Sequence, residues 1–293
     1  MTDSTSGALQ LRRRLPLDWL GAAPFLLFAL MFLILPTLYL VVGAFQNTAG
    51  EFTLENILRL SEPSIRSAYW ISLRISLASA GLGALIGLAI AIAVVRGGLP
   101  QWIRASTLTF SGVASNFAGV PLAFAFLATL GRLGLVTVLL NTWLGVNIYA
   151  LGFNLLSFWG LTITYLYFQI PLMILIITPA IDGLKREWSE AATTLGASTF
   201  QYWRMVALPV LWPSFLGTLV LLFANAFGAV ATAYALTGSS LNIVPILLFA
   251  QIRGDVLHNP HLGYALALGM ILITGASNLL YIWFRSRSER WLR

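Results

Sequence analysis

Long apolar stretches separated by short polar segments constrain the fold of this chain more than any other feature. Of the 293 residues, 58% are hydrophobic and only 9% are charged, whereas soluble domains carry about 25% charged residues. A bilayer core offers no water to backbone N–H and C=O groups, so a chain crosses it as apolar helices or as a closed barrel. Since each spanning helix needs about 20 residues, we predict an all-α membrane protein with about six transmembrane helices and no large soluble domain.

The apolar stretches also give the expected order of segments. We predict spans at residues 19–45, 65–95, 105–130, 151–181, 208–236 and 261–284. The first should bend at Pro24 or Pro36, and the third contains Asn116 and Pro121. Residues 131–150 are amphiphilic and interrupted by glycines, which favours an interfacial or re-entrant segment. The chain then divides into a tail (1–18), a first helix with its outer loop (19–64), a core of five helices (65–284) and a second tail (285–293).

Basic residues lie mostly on one side of this six-helix arrangement. Twelve of the 17 Lys and Arg residues fall on the side that holds both termini. The other five fall on the opposite side or near it: Arg59, Arg66, Arg74, Arg132 and Arg253. The positive-inside rule therefore predicts cytoplasmic N and C termini. This placement accounts for the net charge of +7 without a nucleic-acid partner.

The sequence lacks the residues that several kinds of chemistry require. The chain has no cysteine, no G-x-x-x-x-G-K-[ST] sequence, and no Asp, Glu, Lys or His in the middle of the predicted spans. Thiolate chemistry, ATP hydrolysis by this chain and a buried proton relay are therefore disfavoured. His258 and His261 could bind a metal with Asp255, but two histidines in a short loop are more simply ordinary loop residues.

A polar stretch at 190–209 separates the fourth and fifth spans and has strong helix-boundary signals. We expect Ser189 to cap a helix that starts at Glu190, and Gly196 to end it in a left-handed conformation. Ser198 and Gln201 have the spacing of a capping box for a second helix. Leu208-Pro209 is expected to end that helix. Phe200, Trp203 and Ala207 should share one face, which would show aromatic surface to another protein.

The same stretch resembles the EAA loop of importer-type ABC transporter permeases. That pattern reads E-A-A, three residues, G, nine residues, I-x-L-P. The matching residues are Glu190, Ala191, Ala192, Gly196, Leu208 and Pro209, with Val206 where Ile is usual.

This resemblance implies a type I ABC importer permease fold with both termini in the cytoplasm of a bacterial cell, in its inner membrane. The loop at 183–207 would be a coupling segment that inserts into a cytoplasmic ATPase subunit, with Phe200 and Trp203 on the docking face. The implied partners are a second permease, two ATPase subunits that bind ATP and Mg²⁺, and an extracytoplasmic solute-binding protein. No cofactor is implied on this chain. Two segments, SLRISLASAGLGALIGLAIAIAVVRG and ANAFGAVATAYALTG, look most like permeases for polyamines, ferric iron and phosphonates.

Uncharged polar residues in the spans are candidates for the translocation path of such a permease. Each could instead form an interhelical hydrogen bond that only fixes packing, worth about 1 kcal/mol. Gln169 is the strongest candidate, because Pro171 frees a backbone carbonyl nearby and such interruptions are tolerated where they line a cavity. The full set is Asn116, Tyr165, Gln169, Asn225, Thr232 and Asn278.

Three other interpretations stay open at this point. The EAA pattern does not encode the solute, so a sugar importer subunit fits it equally well. A membrane-embedded lipid enzyme would need paired acidic residues or histidines near an interface, which the sequence does not offer convincingly. A scaffold or stand-alone channel would leave the EAA pattern unexplained.

Overall fold

Six helical segments of the computed structural model are long and apolar enough to cross a membrane, within the described residues 18–253 and 259–289. They are Gly21–Ala44, Pro63–Arg96, Val120–Leu144, Phe158–Asp182, Thr199–Phe227 and Pro260–Ser286. The prediction of an all-α protein with six spans is confirmed. The first tail, Asp255, His258 and residues 290–293 lie outside the described residues.

Fourteen α-helices make up the described chain. They are α1 (Asp18–Ala29), α2 (Leu35–Ala44), α3 (Glu55–Arg59), α4 (Pro63–Arg96), α5 (Gln101–Ala114), α6 (Val120–Leu130), α7 (Leu135–Leu144), α8 (Phe158–Asp182), α9 (Arg186–Thr194), α10 (Thr199–Tyr202), α11 (Leu208–Phe227), α12 (Val230–Thr237), α13 (Val244–Arg253) and α14 (Pro260–Glu289).

The first span is continuous through a π-helical segment at Leu30–Ile34, which joins α1 to α2. The segment ends two residues before Pro36, whose ring would otherwise meet the carbonyl of the preceding turn. Within this chain the span contacts its neighbours mainly where α2 meets α14. There His261 Nδ1 lies 3.0 Å from the Gly43 carbonyl oxygen, and the Tyr39 and Tyr264 rings meet edge to face.

The centre of the fold is the packing of α4 against α8, which depends on small residues. A Cβ atom added at Gly83 would lie 2.7 Å from Gln169 Cβ, and one at Gly87 would lie 2.6 Å from Met173 Cβ. Glycines four residues apart let two membrane helices approach closely, where van der Waals contact stabilises them. The two helices therefore form one tightly packed pair.

Three predicted spans have boundaries that differ from the structure. The third is divided, because α5 ends at Ala114 and α6 begins at Val120, so Asn116 lies in a break and not in a helix. The fourth begins at Phe158, with Ser157 as its N-cap, and not at residue 151. The fifth ends at Phe227, and α12 follows as a separate helix. Within 131–150, α7 is a ten-residue helix, too short to cross a bilayer alone. Together with α6 it makes up the third apolar segment, Val120–Leu144, which a turn at 131–134 interrupts.

Two interrupted helix pairs run alongside α8. Leu108 of α5 and Leu211 of α11 pack in the cluster around the C-terminal half of α8. Leu122 of α6 and Ala233 of α12 pack with Tyr165 in the cluster around its N-terminal half. The break between α5 and α6 and the break between α11 and α12 therefore both lie near the middle of α8.

Candidate functional site

The two helix breaks meet each other directly. Gly119, which precedes α6, has φ 76° and ψ −150°, a conformation that favours glycine. Its N–H donates a 2.7 Å hydrogen bond to Thr232 Oγ1 on α12. On the other side, Tyr165 Oη donates a 3.1 Å hydrogen bond to the carbonyl of Ala229, the residue before α12. These bonds satisfy backbone groups that the breaks release from their helices.

A pocket of about 490 Å³ opens between these breaks. Irregular backbone at membrane depth is tolerated where it is buried in protein or lines a cavity, and the pocket is such a cavity. Its eleven described lining residues are mostly small and none is charged: Ser115, Ala118, Gly119, Phe168, Ala224, Asn225, Gly228, Ala229, Val230, Ala231 and Thr232. Phe168 lies near the middle of α8, so the pocket lies near mid-depth.

The structure brings only part of the predicted path residues to this pocket. Asn225 and Thr232 line it, and Tyr165 holds one of its backbone edges. Asn116 lies beside it in the break, where its Nδ2 donates a 2.9 Å hydrogen bond to the Gly112 carbonyl. Asn278 is exposed on α14 and bonds the Thr274 carbonyl of its own helix.

Gln169 is fully buried next to the pocket-lining Phe168, and it joins helices instead of lining the pocket. Its Nε2 donates a 2.8 Å hydrogen bond to the Leu222 carbonyl on α11, while its Oε1 has no hydrogen-bond partner within the described chain. Sequence reasoning missed Ser115, Phe168 and the break at Gly228–Ala229. The only sequence signals for them are Gly119 and Gly228, which interrupt apolar runs.

The EAA stretch forms a helix, a turn and a second helix, at residues 186–207, which we name the coupling element. The first helix, α9, begins at Arg186 and not at Glu190, with Lys185 as its N-cap. The expected cap at Ser189 is therefore wrong, because the chain already turns after α8 at Gly183. Glu190 forms a 2.9 Å ion pair with Arg186 one turn earlier. Gly196 follows α9 with φ 80°, as predicted.

The second helix of the coupling element continues into the membrane. The predicted capping box at Ser198 and Gln201 is present, but the predicted helix end at Leu208-Pro209 is wrong. A π-helical segment at Trp203–Ala207 joins α10 to α11, and the Leu208 N–H bonds the Trp203 carbonyl five residues back. This wider turn accommodates Pro209, which lacks an N–H and would crowd a regular α-helix.

The two faces of the coupling element differ in burial. Trp188, Ala192 and Trp203 pack against the cluster at the end of α8. In contrast, Leu195, Phe200 and Met205 are 87%, 71% and 72% exposed. Phe200 is thus on the predicted open face, whereas Trp203 is turned partly toward the core. These three apolar side chains are therefore uncovered within the described chain.

Two arginines hold the base of the coupling element. Arg96, the last residue of α4, donates a 3.0 Å hydrogen bond to the Ile181 carbonyl and a second one to the Leu184 carbonyl. Arg104 of α5 forms a 2.6 Å ion pair with Asp182, the last residue of α8. The sequence alone did not indicate these contacts, which join residues about 80 positions apart.

No group of three or more His, Cys, Asp or Glu side chains that could hold a metal occurs among the residues of 18–253 and 259–289. Of the predicted loop residues, His261 contacts Gly43 as described above, while His258 and Asp255 are not described.

Comparison with known proteins gives a consistent picture. Residues 86–293 match the family model described as binding-protein-dependent transport system inner membrane component. The chain is 26% identical over 299 residues to a probable sulfate transport system permease protein, cysT, of Nephroselmis olivacea, covering 99% of this chain and 97% of that protein. It is 25% identical over 231 residues to the spermidine/putrescine transport system permease protein PotC of Escherichia coli K12, covering 77% and 80%.

A solved structure of similar fold is a bacterial ABC transporter involved in the import of the acidic polysaccharide alginate. It superposes with a TM-score of 0.67 and 17% identity, covering 93% of this chain and 96% of that chain. The two folds therefore correspond over nearly their whole length.

Proposed function

This chain belongs to the family of binding-protein-dependent transport system inner membrane components, and from that membership we propose that the pocket between its two helix breaks is part of a solute translocation path. The chain is a multi-pass permease subunit of an ABC importer. The observation that carries the proposal is the 490 Å³ pocket at mid-depth, lined by two interrupted helices. Discontinuous helices form the solute sites of many transporters near the bilayer midplane.

We propose that the coupling element contacts the ATPase subunit and passes the movement driven by ATP hydrolysis to the rest of this chain. Its open face presents Leu195, Phe200 and Met205, while its other face is fixed to the core. A surface of this kind suits insertion into a cleft of a cytoplasmic ATPase subunit. We propose Glu190, Ala191, Ala192, Gly196, Phe200, Leu208 and Pro209 as the residues that shape or present this surface, with half-buried Trp203 supporting it from behind.

The rest of the assembly follows from this role. Two permeases would enclose the path, two ATPase subunits would bind ATP and Mg²⁺ below them, and an extracytoplasmic binding protein would deliver the solute. Transport would alternate between inward- and outward-facing states as the ATPase subunits close and open. This chain would contribute one half of the path.

The candidate solutes are polyamines, phosphonates, ferric iron and similar small solutes. Of these classes, we propose that the transported solute is a small oxyanion. None of the eleven pocket-lining residues is acidic, whereas a polycation would be stabilised by carboxylates. Gly119 at the start of α6, and Ala229 and Val230 at the start of α12, line the pocket, and helix N-termini carry partial positive charge. The 26% identity to a sulfate permease across the whole chain supports the same choice.

The decisive experiment is a mild-detergent pull-down from native membranes, followed by reconstitution of the captured complex into liposomes. We expect an ATPase subunit and a second permease to co-purify. ATP-driven uptake would then be measured with labelled sulfate, a phosphonate, spermidine, ferric iron and a sugar. The transport-subunit proposal would be overturned if this chain were recovered alone and uptake were the same with and without ATP. Uptake of spermidine, iron or sugar alone would overturn only the oxyanion proposal.

A further inference from the structure

We propose that the ion pair between Arg104 and Asp182, supported by Arg96, transmits movement of the coupling element to the pocket. This inference rests on the proposed transport function and assigns positioning roles to three residues outside the EAA pattern. We name the three side chains, with the Ile181 and Leu184 carbonyls that Arg96 binds, the arginine clamp.

The clamp lies directly at the junction between α8 and the coupling element. Asp182 ends α8, and α9 begins four residues later at Arg186. The last carbonyls of a helix have no intrahelical donor, and the helix end carries partial negative charge. The Arg96 guanidinium supplies both donors and positive charge there. The base of the coupling element is thereby fixed to the end of α4.

Helix α5 connects the clamp to the pocket. Arg104 lies in its first turn, and Ser115, directly after its last residue, lines the pocket. At 1.5 Å per residue the distance along the helix from Arg104 to Ser115 is roughly 16 Å. Helix α8 gives a parallel connection from Asp182 to the pocket-lining Phe168, roughly 21 Å long. A displacement at the clamp therefore reaches two walls of the pocket along two continuous helices.

The ion pair is exposed enough that its loss should affect transport without a large change in the free energy of unfolding. The Arg104 and Asp182 side chains are 39% and 42% exposed, and exposed ion pairs contribute about 0–1 kcal/mol to folding. Packing of Leu108 against the cluster around α8 holds the middle of α5 in place without the pair. Loss of the pair should therefore leave the fold intact, while the first turn of α5, which precedes Leu108, no longer follows the end of α8.

The test uses the whole reconstituted complex and measures solute transported per ATP hydrolysed. Variants are Asp182→Asn, Arg104→Asp, Asp182→Arg, and the exchange that combines the last two. Each single variant should lower solute per ATP about tenfold, within the range of measured couplings between sites, with ATPase activity and complex assembly retained. The exchanged pair should recover at least about half of the wild-type ratio, because the attraction is restored with reversed sign.

Arg59→Asp is the matched control. It breaks the 2.8 Å ion pair between Arg59 and Glu62. The two side chains are 37% and 42% exposed, and the pair does not join two spans. It should leave the ratio unchanged. Two results would overturn the clamp proposal when the wild type transports. One is a normal ratio of solute to ATP in all three single variants. The other is an exchanged pair that recovers none of this ratio although its melting temperature is unchanged. If wild type shows no ATP-driven uptake, the transport proposal fails and the clamp proposal fails with it.

Discussion

Gly119 and Thr232 lie 113 positions apart in sequence, and the backbone N–H of the first donates a 2.7 Å hydrogen bond to the side-chain oxygen of the second. This bond ties the α5–α6 break to the α11–α12 break. Thr232 is buried, with 1% of its surface exposed, whereas Gly119 is partly exposed in the lining of the pocket.

Replacing Thr232 with Val should therefore destabilise the pocket. Loss of a hydrogen bond of this kind costs about 0.5–1.5 kcal/mol, and we expect a lower melting temperature and reduced uptake. Thr232→Ser keeps the oxygen and should retain most of both. Thr237→Val is the control, since that buried hydroxyl donates only to the Ala233 carbonyl of its own helix. Equal losses for the two valine variants would contradict the role of this bond.

The close approach of α4 and α8 predicts a second effect. Gly83→Ala would place a methyl group 2.7 Å from Gln169 Cβ, and overpacking of this kind costs about 1–3 kcal/mol. Gly81→Ala on the same helix meets nothing within 4 Å and should be neutral or slightly stabilising. Unfolding in detergent micelles, followed by circular dichroism, compares the two. A stable Gly83→Ala variant would mean that the helices can separate without cost.

Gly196 tests the coupling element. Space around it is open, and Asp is one of the residues best tolerated at positive φ, so Gly196→Asp should reach the membrane at normal levels. We expect uptake to be lost, because a charged side chain would stand on the surface that we propose meets the ATPase. Gly145→Asp, at φ 65° and also without near neighbours, should transport normally. Normal uptake by the Gly196 variant would argue against the coupling assignment.

Orientation in the membrane is a fourth prediction. The chain has no cysteine, so Phe200→Cys and Phe52→Cys each provide a single thiol. Both native side chains are well exposed, at 71% and 77%, and Phe52 lies in the predicted outer loop after the first span. A membrane-impermeant maleimide should label Phe52→Cys in intact cells and Phe200→Cys only after permeabilisation. The reverse labelling would place the termini and the coupling element outside the cytoplasm.

The sequence predicted those features that depend on local chemistry. Apolar length was enough for the number of spans, and the Ser198–Gln201 capping box and the positive φ of Gly196 followed from residue type. Helix ends at Ser189 and Pro209 were predicted wrongly for different reasons. The turn after α8 starts α9 earlier, and the π-helical segment absorbs the proline.

The candidate site was less predictable, because it depends on contacts between distant segments. Polar residue type alone indicated Asn225 and Thr232, which line the pocket, but also Asn278, which bonds only within its own helix. Nothing near Arg104 in sequence indicates Asp182 as its partner. A pattern along one helix cannot show which face meets which neighbour.

Main-chain groups at two helix breaks form edges of the pocket, and this has a consequence for how the protein can change. Point mutation replaces side chains but leaves amides and carbonyls in place, so substitutions that spare Thr232 and Tyr165, which hold those groups, leave the framework of the pocket intact. Small lining residues such as Ala118 and Ala231 can be exchanged to reshape the cavity without rebuilding it. A lineage built on this architecture could acquire new solutes one substitution at a time.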